Sequence, residues 1–123
     1  MTPGTGFEFS RKHRLLDGQA FQKVFDGAQW RAGDDLFLIL ARQNNLAIHR
    51  LGMVVGRKRV RLAVDRALIK RQIRESFRHR PEQLAGLDII VLVRSNLRHP
   101  DRRQLAARLN LLWDKLLAKR GQA

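Results

Sequence analysis

Cysteine is absent from this 123-residue chain, which removes disulfides, thiolate zinc sites and a cysteine nucleophile together and fits a reducing compartment. Carboxylates are scarce: 11 Asp and Glu stand against 25 Lys and Arg, for a formal net charge of +14. Long hydrophobic runs are also missing, the longest falling far short of the ~20 residues that cross a bilayer. Met1 to Arg14 has neither an apolar signal region nor a small-residue cleavage pattern. A cytoplasmic protein with no membrane partner is therefore expected, and no obligate protein partner is evident.

What remains is enough for one core. Hydrophobic residues make up 44% of the chain, and this length suits a single compact domain. Residues 1–12 mix Gly, Pro, Thr and basic residues without apolar periodicity and read as a flexible basic arm, residues 13–120 as the domain, and 121–123 as a tail. Asp17 is placed to cap a short helix with Phe21, Val24 and Phe25 on one face and Gly27 as a left-handed stop. Trp30 and Arg31 suggest a short strand. Two apolar runs, Leu36 to Ala41 and Leu51 to Val55, flank the polar Gln43-Asn44-Asn45 turn and predict adjacent antiparallel strands. A helix over about Leu62 to Arg80 aligns Leu62, Ile69, Ile73 and Phe77 and is closed by Pro81. The run Asp88 to Val93 is β-branched and too short for a helix, so it joins the sheet through that crossover. After Pro100, Asp101 caps a last helix with Leu105, Leu109, Leu112 and Leu116 inward, ending near Gly121. The predicted class is α+β, a sandwich of a small mixed sheet and helices in the order α-β-β-β-α-β-α.

The basic residues cluster. At about 100° per residue, Lys70, Arg71, Arg74 and Arg78 share one arc of the crossover helix, with Arg66 at its border. Just upstream, Arg57, Lys58, Arg59 and Arg61 follow a predicted strand. Like charges four residues apart oppose helix formation, so Arg66, Lys70, Arg74 and Arg78 point to an anionic partner rather than to a solvated face of alternating sign. Arg outnumbers Lys on this helix, and its planar fork suits bidentate phosphate contacts. Glu75 is the lone acid between Arg66 and Arg80 and reads as a local partner for Arg71 or Arg78. These features indicate nucleic acid without choosing RNA or DNA.

The run from Arg66 through Ala67, Leu68, Lys70, Arg71, Arg74, Glu75, Phe77 and Arg78 resembles the signature of the ribonuclease P protein family, approximately R-N-R-x-K-R-x-x-R-E-x-F-R. Ala67 and Leu68 depart from it. Arg50 to Lys58 is similar to the family's R-x-G-x-x-x-[SAG]-K-K strand, with Arg57 a basic substitution. Leu84 to Val93 is similar to its L-x-x-x-D-x-x-V strand, and Arg14-Leu15 with Phe21, Val24 and Phe25 to its opening R-L and F-x-x-V-F. The likeness spans about Phe9 to Lys119. It implies a sheet carrying helices on one side, with a left-handed crossover through the signature helix that periodicity could not reveal. It also implies an RNA-binding subunit of a tRNA-processing endonuclease whose catalytic RNA carries the chemistry and requires Mg2+. Arg57, Lys58, Arg59, Arg61, Arg66, Lys70, Arg71, Arg74 and Arg78 would meet the catalytic RNA. Arg14, Phe21 and Phe25 would meet the 5′ leader of precursor tRNA.

No catalytic residue and no metal ligand is assigned to the protein itself. His13, His49, His79 and His99 lack metal-ligand spacing and are expected to face solvent or RNA. Asp34-Asp35, just before a strand, reads as a cap or edge breaker rather than a two-metal site. Phe21 and Phe25 lie one helical turn apart, and core packing is the plain alternative to base stacking, although a ring can serve both. The alternative functions are a ribosomal or other structural RNA-binding protein, which needs no leader cleft, and a DNA-binding module using the crossover helix in a major groove.

Overall fold

The computed structural model describes residues 18–122. The arm expected over residues 1–12, and the roles expected of His13, Arg14 and Asp17, lie outside the described residues. The elements run α1 (Gly18–Gly27), β1 (Trp30–Gly33), β2 (Phe37–Gln43), β3 (Arg50–Val54), α2 (Ala63–Arg78), β4 (Leu87–Val93) and α3 (Arg102–Gln122). This is the predicted order, with Trp30 and Arg31 opening a real strand.

The sheet order is β1-β2-β4-β3, which corrects one expectation: β2 and β3 are not neighbours. β4 lies between them, antiparallel to β2 and parallel to β3. The reason is burial. Leu87, Ile89, Ile90, Val91 and Val93 are all buried, so β4 is apolar on both faces and is stabilised most at the sheet's centre. The segment after β2 must then loop past the end of β4. Asn45 takes φ 60° and Gly86 φ 82°, and the Asn44 N–H donates to Gly86 O at 2.8 Å while the Gly86 N–H donates to Ile48 O at 3.2 Å. Gly suits that left-handed backbone because it has no Cβ.

The helices lie on both faces of the sheet rather than on one, a second correction. Phe37, Ile39, Ala41, Ile89, Val91 and Val93 face α2 and α3, forming the main core with Ile69, Ile73, Phe77, Leu105, Leu109, Leu112 and Leu116. The alternate residues Leu38, Leu40, Ile90 and Leu92 face α1 and enclose Val24. The period-2 geometry of strands makes this division automatic once both faces are apolar. Gly27 ends α1 without a positive φ, contrary to the expected left-handed stop. Its missing side chain leaves room for Arg42, whose Nε lies 3.3 Å from where a Cβ would be.

The polar groups in this core are paired. Trp113, fully buried, donates its indole N–H to Ser76 Oγ at 2.9 Å, and Ser76 donates to Ile73 O at 2.9 Å. His49 is buried, its ring 4.6 Å from that of Phe77; the expectation that it faces solvent or RNA fails because it packs under α2. Arg50 grips Asp88 through Nε and Nη2 at 2.7 and 2.6 Å, and Asn44 donates to the same carboxylate at 2.9 Å.

Asp34 and Asp101 act as caps. Asp34 Oδ1 accepts the N–H groups of Leu36 and Phe37 at 2.8 and 2.7 Å, shaping the β1–β2 turn. Asp101 Oδ1 accepts those of Arg103 and Gln104 at 2.8 and 3.3 Å, starting α3 as predicted. Asp35 receives Arg108 at 2.6 Å and so ties this turn to α3. The Arg108 hydrogen bond, with its charge, holds the Asp35 carboxyl below its ordinary pKa.

Candidate nucleic-acid interface

The first cationic surface starts where β3 ends. Arg57, Lys58, Arg59 and Arg61 are all exposed in the loop that leads to α2. The loop is held from within: the Val60 N–H donates to Gly56 O at 2.9 Å, and Arg66 Nη1 donates to Val60 O and Arg61 O at 3.0 and 2.9 Å. Arg66 therefore spends one nitrogen fixing the backbone that carries the other cations, a role its position on the helical wheel gave no sign of.

Along α2 the arc divides. Arg78 pairs with Glu75 at 2.9 Å, as the lone acid suggested, and His79 lies 3.6 Å from the same carboxylate. Lys70, Arg71 and Arg74 make no side-chain ion pair among the described residues and are left for an outside anion. Arg71 borders a groove between α2 and α3 that also includes Gln72, Ser76, His79, Arg102 and Asn110. Of the signature's departures, Ala67 is exposed, whereas Leu68 packs against the main core.

The second surface lies on the opposite face of the sheet. Phe21 projects from α1 onto β3, so close that a Cβ on Gly52 would sit 2.4 Å from the ring's Cζ. Phe21 is half-buried, and Phe25, one turn further on, is 45% exposed. Phe25 is thus not a core residue, and Phe21 has one side seated and another open. Val54, 39% exposed, continues the apolar floor along β3.

Arginines that the sequence reading passed over stand on the same face, toward the β1–β2 side of the sheet. Strand register puts Arg31 and Arg42 on the α1 face, and Arg94 reaches across Gly33, its Nη1 2.8 Å from where a Cβ would be. The available signal was alternation: Leu38, Leu40 and Arg42 share one parity. Without the register, however, nothing showed that α1 covers that parity.

Among the described residues no group of three or more His, Cys, Asp or Glu side chains is arranged to hold a metal ion. The two buried carboxylates are committed to protein donors, Asp88 to Arg50 and Asn44, and Asp65 to the His99 N–H at 2.9 Å. They do not fit a magnesium site. No helix among the described residues is long and apolar enough to cross a membrane.

Residues 9–117 match the family model for Ribonuclease P. The chain is 51% identical over 115 residues to the ribonuclease P protein component of Alcanivorax borkumensis, covering 94% of this chain and 95% of that protein. It is 44% identical over 113 residues to that of Pseudomonas aeruginosa, covering 92% and 84%. Among solved structures it is similar to the RNase P protein of Staphylococcus aureus, with TM-score 0.75 and 26% identity over 84% of this chain and 94% of that one. The RNase P protein of Thermotoga maritima gives TM-score 0.66 and 31% identity, covering 82% and 96%.

Proposed function

Since the chain belongs to the ribonuclease P protein family, we propose that it works as the RNA-binding subunit of that endonuclease, with the cleavage chemistry and its Mg2+ requirement residing in the RNA. The catalytic RNA binds the loop after β3 and the α2 cations Lys70, Arg71 and Arg74. The 5′ leader of precursor tRNA lies along the other face, its bases stacking on Phe21 and Phe25 beside Arg31, Arg42 and Arg94, and so broadens substrate recognition. The cytoplasm is where both RNAs are met.

The observation that carries this reading is the pairing of an open aromatic edge with unpaired arginines on one sheet face, while a second cationic surface sits on the other. A structural RNA-binding protein would need only one of them. Stacking beside a cationic groove is the general means of holding single strands, worth about 1–3 kcal/mol per base.

The test is cleavage of precursor tRNA by a cognate catalytic RNA at low magnesium, with and without the protein. Stimulation is expected, together with tighter binding of precursor than of mature tRNA. Absence of stimulation, with co-sedimentation on ribosomes instead, would turn the assignment toward the structural RNA-binding alternative.

A further inference from the structure

The parallel pair β3 and β4 ends on one side of the sheet, so both strands deliver their following loops to the same place. The carboxyl ends of adjacent parallel strands form a natural crevice for ligands in sheets of this kind. Here the two loops are joined: the Leu97 N–H donates to Arg59 O at 2.9 Å. Between them lies a cleft of about 480 Å³ whose lining includes Lys58, Arg59, Arg61, Asn96 and Arg98 and, among the described residues, no acidic side chain.

Four cations brought together repel one another, and Lys58, Arg59, Arg61 and Arg98 make no side-chain ion pair among the described residues. The crevice is nonetheless built rather than incidental. One wall is fixed by the Arg66 bonds to Val60 O and Arg61 O. The other is fixed where Asp65, buried at the start of α2, accepts the His99 N–H. A rigid crevice of one charge sign, with an amide beside it, suits phosphodiester oxygens: the guanidinium forks supply paired donors, and the anion relieves the repulsion.

We propose that this cleft is a composite phosphate-binding site for the backbone of the catalytic RNA, and that Arg98 and Asn96, from the loop between β4 and α3, are RNA-binding residues acting with Arg59 and Arg61. The site extends the RNA surface from the crossover helix to a segment 18 to 20 residues beyond its end at Arg78, and it rests on the subunit reading above. The catalytic RNA is the occupant rather than the leader, because the cleft reaches Leu62 at the start of α2, the helix that carries Lys70, Arg71 and Arg74.

The experiment uses the full-length protein with catalytic RNA, titrated at several salt concentrations. Arg98→Ala is compared with Arg103→Ala, an exposed residue of α3 outside the cleft, with folding verified by thermal melts. Arg98→Ala should weaken assembly roughly tenfold, as expected for losing a charge-assisted contact, and should shallow the slope of log K against log salt by roughly 0.7–0.9. Arg98→Lys should recover part of the affinity, and Asn96→Ala should weaken binding without changing the slope. If Arg98→Ala matches Arg103→Ala in both affinity and slope, the cleft does not bind the RNA. The same conclusion follows if the loss appears only in precursor-tRNA binding by the assembled enzyme. A wild-type protein that failed to assemble with the RNA would instead overturn the subunit reading itself.

Discussion

Gly52→Ala tests how Phe21 is seated. The added methyl would lie 2.4 Å from Phe21 Cζ, 2.8 Å from Cε1 and 3.0 Å from Cε2. Carbon atoms rest about 3.5–4.0 Å apart, so the ring must retreat by roughly 1 Å. Overpacking of this kind costs about 1–3 kcal/mol, and because the ring is half-buried and free to swing outward, the low end is expected. The larger effect should be on substrate. A displaced ring forfeits part of a stacking contact worth about 1–3 kcal/mol, which allows up to roughly 5- to 150-fold weaker precursor-tRNA binding. Mature tRNA affinity and assembly with the catalytic RNA should stay the same. The assay is a double-mutant cycle with Phe21→Ala, read by urea denaturation and by precursor-tRNA Kd. Removing the ring removes the clash, so the methyl should cost almost nothing in the Phe21→Ala background. Additive losses would refute the reasoning, because neighbours in contact must couple.

Phe77→Ala should destabilise the fold by about 3–5 kcal/mol, since that ring is fully buried between His49 and Trp113, whereas Phe25→Ala should leave the melting temperature nearly unchanged and weaken precursor-tRNA binding; equal thermal losses would put both rings in the core. Ala67→Asn should be structurally silent, while Leu68→Arg should cost about 1 kcal/mol of apolar burial and tighten binding to the catalytic RNA through one more cation; unchanged RNA affinity across salt concentrations would show these positions to be outside the interface. Asp35 has its folded pKa lowered by Arg108, so the stability from that tether is present above the ordinary carboxylate range and disappears as pH falls through the folded value; a carboxyl titration by NMR that found Asp35 at or above about 3.9 would contradict it.

Much of this was legible along the chain. The element order followed from periodicity and punctuation: Ile69, Ile73 and Phe77 repeat at helical spacing, Asp101 announces α3, and Asp34 caps the turn before β2. The cationic arc of α2 was visible because charge, unlike pairing, is a local property. The family signature added the expectation of RNA partners, which no pattern of hydrophobicity contains.

The sheet order was decided in three dimensions. A turn signal between two strands favours pairing them, but the doubly apolar β4 gains more by burying both its faces, and it displaced β3 to the edge. From that one insertion came the split of the helices between the two faces, the exposure of Phe25, the need for glycine at position 52 beneath Phe21, and the burial of His49. Which arginines stayed free was likewise a tertiary outcome: Arg66 turned inward to two carbonyls and Arg78 closed on Glu75, while Arg42 and Arg94 were brought to the α1 face by a register the sequence does not spell out. Local patterns determine what each segment becomes, because they act through neighbouring residues; which surfaces meet depends on competition among segments far apart in the chain for the same buried space.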